Sequence, residues 1–110
     1  MEKSRVLAAL SAMAHETRLD LLRLLTGCGA AGLAQGEIAR RLSVSASGLA
    51  FHLAQLEQAG LVQARRESRH VFYAADPVGI GAVLGYILHD CCRSNPEVSA
   101  CCRSGPAGRT

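Results

Sequence analysis

The sequence predicts a mainly α-helical domain with one small β-hairpin. Apolar residues recur at helical spacing through most of the chain, as Leu49, Leu53 and Leu56 do at i, i+4 and i+7. Between residues 61 and 74 the apolar period shortens to two, which is typical of strands. The 110 residues are 49% hydrophobic with no tryptophan. We therefore expect one compact domain with a small aliphatic core.

The first quarter of the chain contains two predicted helices. Over residues 3–14, Val6, Leu10 and Met13 fall on one helical face. Over residues 16–26 leucines surround the axis, so we expect this second helix to be buried. The glycine-rich segment 27–32 then predicts a loop.

Residues 36–42 and 45–59 are predicted to form two helices joined by a tight turn, which is a helix-turn-helix. Ser45 is the expected N-cap of the second helix, and Gly60 its expected end. The face opposite its leucines collects small and polar side chains and one ring, namely Ser47, Gly48, Phe51, Gln55 and Gln58. Such a face suits the major groove, where glutamine pairs with adenine and an apolar group contacts the thymine methyl. The alternative is an ordinary surface helix.

Strand-like segments at 61–65 and 70–74, with a polar turn at 66–69, predict a two-stranded wing. The helix at 45–59 contains no lysine or arginine, so phosphate contacts must come mainly from the wing, with help from Arg40, Arg41 and the N-terminal Lys3 and Arg5. The wing cations are Arg65, Arg66 and Arg69. A solvated hairpin tip is the competing interpretation. The predicted fold is therefore a winged helix-turn-helix, mainly α with a small β wing.

A last helix is predicted to begin at Asp76, as N-cap, and Pro77, as first residue. Its apolar side continues to Cys91. A domain this small has little interior for apolar helices at both ends of the chain. We therefore predict that the first and last helices pack on a second copy, which gives a homodimer.

From Arg93 onward the sequence has no periodicity and contains two prolines, which predicts a flexible tail. The expected division is a DNA-binding and dimerisation domain at 1–92 and a cysteine-containing tail at 93–110.

The net charge, the N-terminal sequence and the length of the apolar runs limit the classes of function that are possible. A net charge of +3 permits an anionic partner such as double-stranded DNA. The N-terminus lacks the apolar core of a signal peptide, and no apolar run is long enough to span a bilayer, so we expect a cytoplasmic, nucleoid-associated protein without a membrane partner. An enzyme is not expected, because the paired cysteines have no phosphate-binding or oxyanion loop beside them.

Four of the five cysteines form two adjacent pairs near the C-terminus: Cys91, Cys92, Cys101 and Cys102. In a reducing compartment such clusters indicate metal or redox chemistry more than structural disulfides. A three-thiolate site suits trivalent arsenic or antimony. A four-thiolate zinc or cadmium site, a thiol-redox or persulfide sensor and a tail without function are the alternatives. Cys28 stands alone and is expected to be a small buried or loop residue.

These motifs together resemble the ArsR/SmtB family of winged-helix metalloregulators. The resemblance covers residues 5 to about 90. It is carried by A-H-E-T-R-L-D-L-L-R-L-L at 14–25, G-E-I-A-R-R-L at 36–42 and F-H-L-A-Q-L-E-Q-A-G-L-V at 51–62, followed by Arg65, Arg69 and Tyr73. The sequence departs from the family pattern at Ala50, where serine is usual, and at Ser68, where the wing usually has glycine. It also lacks the C-x-C of the classical arsenic sensors on the 36–42 helix.

The resemblance implies a homodimeric bacterial repressor of an arsenic-resistance type operon. Such a protein binds operator DNA without a cofactor and releases it when the inducer, As(III) or Sb(III), binds. The residues expected to contact DNA are Ser45, Ser47, Gly48, Phe51, His52, Gln55, Arg65, Arg66 and Arg69. For His52, at the edge of the leucine stripe, a packing role is the alternative. Some members carry a Cys-Cys pair at the end of the last helix and a further cysteine downstream, which makes Cys91, Cys92, Cys101 and Cys102 the expected ligands. A thiol-redox, persulfide, zinc or cadmium response of the same fold is the alternative.

Overall fold

The computed structural model describes residues 1–104. Its helices are α1 (Lys3–Met13), α2 (Glu16–Cys28), α3 (Gln35–Leu42), α4 (Ala46–Gln58), α5 (Pro77–Gly85) and α6 (Pro96–Ser104). Its strands are β1 (Leu33–Ala34), β2 (Val62–Glu67) and β3 (His70–Ala75). A 3₁₀ turn at Gly29–Ala31 follows α2, and a π-helical segment at Tyr86–Cys91 continues α5. The mainly helical fold with a β wing is as predicted.

Helix α2 is two residues longer than its pattern indicated. The side chain of His15 caps its N-terminus by accepting a hydrogen bond from the backbone N–H of Thr17. Gly27 and Cys28 continue the helix, which ends at Gly29 with a φ of 69°. The loop predicted for 27–32 was therefore wrong at its start, because a positive φ and not the first glycine ends the helix.

The helix-turn-helix forms as predicted. Helix α3 ends at Ser43 in the left-handed conformation, and α4 begins after Ser45, whose Oγ accepts from the N–H of Gly48 at 3.1 Å. The predicted leucine stripe of α4 is fully buried and joins a core formed by α1, α2, α3, β2 and α5. Its members are Leu49, Leu53 and Leu56. This burial fixes which face of α4 points outward.

The wing belongs to a three-stranded antiparallel sheet in the order β1-β3-β2. The hairpin runs in register from Val62 opposite Ala75 to Glu67 opposite His70, so the turn is only residues 68 and 69. The expected polar turn at 66–69 was thus too long. The prediction of two strands missed β1, which has only two residues and no readable period.

The last helix begins as predicted, with the Asp76 side chain accepting from the N–H groups of Val78 and Gly79. A flexible tail from Arg93 is corrected over Pro96–Ser104, which form α6. The Asn95 side chain accepts from the next turn at 2.9 and 3.0 Å, and Pro96 follows it. The second proline, Pro106, and the rest of the predicted tail lie outside the described residues.

No helix found in residues 1–104 combines the length and the apolar composition that crossing a lipid bilayer requires.

Candidate functional site

The outward face of α4 combines polar groups with one exposed ring. Ser47 and Gln58 are exposed, Gln55 is half-buried, and 57% of Phe51 is accessible to solvent. A phenylalanine so exposed on the helix that buries three leucines completely is not needed for the core. This face therefore presents a hydroxyl, amides and an apolar edge, the groups that read bases in a major groove.

Two of the expected DNA-contacting residues also build the start of α4. The hydroxyl of Ser45 is engaged in the cap described above. A Cβ at Gly48 would lie only 3.0 Å from that oxygen, so a larger residue would disturb the cap. Both residues hold the first turn in place, and the unpaired backbone N–H groups of a helix N-terminus are able to bind a phosphate.

His52 lies on the side of α4 that faces the first two helices. Its Nδ1 is 3.0 Å from a terminal nitrogen of Arg18, and its ring centroid is 4.5 Å from that of His15. Burial, then the nearby His15 and Arg18, lowers the pKa of His52. The second ring nitrogen, Nε2, is the one left for a contact with DNA.

The three wing arginines differ in their surroundings. Arg65 is attached to the sheet, because it donates to the Glu67 carboxylate at 3.1 Å and to the Ala31 carbonyl at 3.3 Å and lies 5.0 Å over the Phe72 ring. Arg66 points to the other face of the hairpin, since alternate residues of a strand face opposite ways. Arg66 and Arg69 are exposed. These two are the better candidates for phosphate contacts.

A carboxylate on α3 holds the two further arginines that the sequence offered for phosphate binding. Glu37 forms ion pairs with Arg40 and, at 2.8 Å, with Arg41. The hydrogen bonds from Arg40 and then Arg41 lower the pKa of Glu37 to about 2, so this carboxylate is ionised at neutral pH. These ion pairs are not among the features predicted from the sequence, although a glutamate three and four residues before two arginines is their signal.

The four C-terminal cysteines lie in two separate elements. Cys91 ends the π-helical segment and is exposed, while Cys92 beside it is half-buried. Cys101 and Cys102 are exposed on α6, where they line a shallow groove with Glu97 and Val98. Burial and the neighbouring Cys91 raise the pKa of the Cys92 thiol.

Over residues 1–104, no three Cys, His, Asp or Glu side chains lie close enough together to hold one metal ion. The structure thus places each pair on its own and does not bring the four sulfurs together in one chain. A site built from Cys91, Cys92, Cys101 and Cys102 stays a prediction. Cys28, expected as a small buried or loop residue, is the last residue of α2 and is half-buried.

The fold and the outward face of α4 define a class of protein, the winged helix-turn-helix proteins. In this class the second helix of the helix-turn-helix, here α4, is the reading helix. A family model described as a helix-turn-helix domain matches residues 13–63. The transcriptional activator HlyU of Vibrio cholerae is 36% identical over 97 residues, which cover 86% of this chain and 87% of HlyU. The chain therefore belongs to the family of winged helix-turn-helix transcriptional regulators of ArsR/HlyU type. Its relatives are regulators, which confirms that it is not an enzyme.

Solved structures agree with this assignment. An ArsR-like transcriptional regulator from Rhodococcus sp. RHA1 shares the fold with a TM-score of 0.73 at 24% identity, covering 88% of this chain and 89% of that one. A homodimeric winged helix-turn-helix DNA-binding domain from Mycobacterium bovis, a possible ArsR-family regulator, superposes with a TM-score of 0.65 at 26% identity. The coverage is 74% of this chain and 73% of the M. bovis chain.

Proposed function

We propose that this protein is a homodimeric DNA-binding repressor that releases its operator when its C-terminal thiols bind trivalent arsenic or antimony. The observation that carries the DNA-binding half is the outward face of α4. Its leucine stripe is fully buried, whereas Phe51 on the outer face is 57% exposed, and the wing that follows α4 carries two exposed arginines. An uncharged surface on one element and cations on the next is the arrangement that separates base contacts from phosphate contacts.

In the proposed complex α4 lies in the major groove. The ring of Phe51 would contact a thymine methyl, and the hydroxyl and amide groups of Ser47, Gln55 and Gln58 would bind base edges. Arg66 and Arg69 would bind phosphates on either side of the groove. None of these steps needs a bound cofactor.

The apolar surface of α1 and α5 supports a dimer. These helices contact each other, and each exposes leucine to solvent: Leu7 is 58% and Leu84 is 52% accessible. Gly81 and Gly85 on α5 have open space beside them, which permits another helix to approach closely. The fold-sharing M. bovis domain is homodimeric. A dimer of this kind would place two reading helices about one DNA turn, roughly 34–36 Å, apart.

The two thiol pairs support the inducer half of the proposal. Arsenous acid and three thiols give three As–S bonds and three molecules of water, so no external oxidant or reductant is required. Cys91 and Cys92 would supply two of the thiols and Cys101 or Cys102 the third. Because the pairs are separate in one chain, binding requires α6 to move or a second chain to contribute.

The need to bring the two cysteine pairs together would link arsenic binding to the release of DNA. The segment that ends in Cys91 continues α5, which also carries the proposed dimer surface. Pulling the end of this segment towards a third sulfur would change the helix packing between the two copies and hence the spacing of the reading helices. We expect arsenite to weaken DNA binding about 5- to 150-fold, the usual range of allosteric coupling.

The test is fluorescence anisotropy of the reduced protein on a DNA duplex taken from upstream of its own gene. The protein should bind, and arsenite should dissociate it at about one equivalent per chain. Cys91→Ser and Cys92→Ser should bind DNA normally and no longer respond, while the control Cys28→Ser should respond fully. Failure of the unmodified protein to bind any duplex would contradict the whole proposal.

The thiol-redox alternative is favoured by one observation: the cysteines form two adjacent pairs and not a group of three or more ligands in the described residues. If a disulfide-forming oxidant or persulfide dissociates the complex and arsenite does not, the regulator senses thiol oxidation. If only zinc or cadmium dissociates it, the thiols serve a metal site. Either result would contradict arsenic as the inducer and leave the DNA-binding half intact.

A further inference from the structure

We propose that Arg18 is a positioning residue for DNA binding. Its side chain fixes the ring of His52 and holds the reading helix α4 against α2 and the end of α1. The inference rests on the proposed DNA-binding function.

The geometry at His52 determines where the ring carries its proton. A guanidinium can only donate hydrogen bonds, so Nδ1 of His52, 3.0 Å from Arg18, must accept. The neutral ring then carries its hydrogen on Nε2. Arg18 thereby leaves His52 with its one N–H on Nε2, the nitrogen that Arg18 does not occupy, and this is the form that can donate to a DNA phosphate.

Arg18 also ties α4 to a second helix. Its Nε donates to the backbone carbonyl of Ala12, near the end of α1, while the other end of the same guanidinium reaches His52 on α4. Arg18 itself lies on α2 and is half-buried. One side chain therefore connects three helices, including α1, whose exposed leucines belong to the proposed dimer surface. A connection of this kind relates the position of the reading helix to that of the dimer helix.

The hydrogen bond between Arg18 and His52 depends on His52 remaining neutral. A proton on Nδ1 would remove the acceptor and place a new positive charge beside Arg18. The titratable and charged groups that face the ring are Arg18 and His15 on the α2 side, and His15 stacks at 4.5 Å. The contact that α1 makes with Arg18 is the uncharged backbone carbonyl of Ala12. Acidification should therefore weaken DNA binding by releasing His52 from Arg18.

The experiment compares Arg18→Gln with Arg23→Gln in DNA affinity and in the state of His52. Arg23 lies on the same helix, is exposed and makes no ion pair or hydrogen bond among the described residues. Both variants lose one positive charge, so long-range attraction to DNA falls equally. We expect Arg18→Gln to bind the upstream duplex about tenfold more weakly and Arg23→Gln to change binding less than twofold. In a His52→Ala background, Arg18→Gln should cause little further loss.

Two measurements identify a positioning role and exclude a general loss of structure. Nitrogen-15 NMR of the imidazole rings should show His52 as the Nε2–H tautomer in the unmodified protein and a mixture in Arg18→Gln. His52→Asn keeps an acceptor near the Nδ1 position and cannot titrate, so its DNA binding should lose the acid-side decline that the unmodified protein shows. Thermal melting controls for folding. If Arg18→Gln unfolds, Arg18→Lys and Arg23→Lys replace the pair: both keep the charge, and the single amine of lysine lacks the separate nitrogens with which Arg18 reaches Ala12 and His52.

The possible failures are distinguishable. If the unmodified protein binds no duplex, the proposed function is wrong and this inference falls with it. If the unmodified protein binds and the Arg18 and Arg23 variants lose affinity equally, Arg18 acts only through its charge and the inference is overturned. An Nδ1–H tautomer of His52, or an acid-side decline that persists in His52→Asn, would also overturn it.

Discussion

The backbone carbonyl of Gly60 lies against the Cα of Gly79, with no space between them for a side-chain carbon. Gly60 directly follows the reading helix, and Gly79 is in the first turn of α5. The next residue after Gly60 is Leu61, and its carbonyl accepts a hydrogen bond at 2.9 Å from the N–H of Asp76, the N-cap of α5. The end of α4 and the start of α5 therefore meet backbone to backbone, and a displacement of one helix is transmitted to the other.

We expect Gly79→Ala to destabilise the fold. The added methyl group would overlap the Gly60 carbonyl oxygen, and neither backbone can yield without moving a helix. Overpacking of this kind costs about 1–3 kcal/mol. The free energy of unfolding, measured by urea denaturation followed by circular dichroism, should fall by that amount.

The matched control is Gly36→Ala on α3. A Cβ there meets no atom within 4 Å, and alanine favours helix, so stability should stay the same or rise by up to about 1 kcal/mol. Equal stability of the two variants would show that the contact between Gly60 and Gly79 is not tight in solution.

Phe51→Ala should reduce DNA affinity without affecting the fold. The ring is largely exposed, so its removal costs little packing energy, whereas loss of an apolar contact in the groove costs about tenfold in binding. Leu19→Ala is the control, because Leu19 on α2 is exposed to a similar extent, 55%. Anisotropy titrations of the two variants on the upstream duplex make the comparison. Equal affinities for both would remove Phe51 from the proposed interface.

The wing arginines should differ in their effect on salt dependence. Removing a phosphate contact lowers the slope of log affinity against log salt by about one. We expect this change for Arg66→Gln and for Arg69→Gln. Arg65→Gln should change the slope less and lower thermal stability instead, because its guanidinium is bound to Glu67, Ala31 and the Phe72 ring. The check is a set of binding isotherms between 50 and 300 mM salt; a common slope for all three variants would contradict it.

The pH dependence of induction should distinguish arsenite from zinc. Arsenous acid releases water, not protons, when it condenses with thiols, so its affinity should be nearly constant between about pH 6 and pH 8. Zinc must displace the thiol protons, and its affinity should rise steeply over the same range. Burial raises the pKa of Cys92, which keeps that thiol protonated at neutral pH and increases the contrast. A steep rise with arsenite would indicate that it binds by another chemistry.

Much of the fold followed from local patterns. The leucine stripe of α4, the Ser45 cap and the Asp76-Pro77 start of α5 each depend on residues close in the chain. The missing periodicity and the two prolines after Arg93 predict a flexible tail and not α6, although a proline preceded by a capping Asn95 begins a helix. Helices α5 and α6 thus begin by the same local rule, a capping side chain followed by proline.

The contacts around the candidate site were beyond such reasoning. Arg18 and His52 are 34 positions apart, and nothing in the spacing of either residue indicates the other. The separation of the two cysteine pairs likewise depends on the placement of α6, which adjacent cysteines in the sequence do not specify. Hydrogen-bond partners that are distant in the chain require the three-dimensional structure.

Glu37 gives α3 its own counterion. Mobile cations that surround DNA gain entropy when a protein cation replaces them, and this gain drives binding to any sequence. Arg40 and Arg41 are already paired with a carboxylate, so replacing that carboxylate by a phosphate exchanges one anion for another. The helix next to the reading helix therefore adds little to indiscriminate attraction for DNA, and discrimination between sequences is left to the outward face of α4.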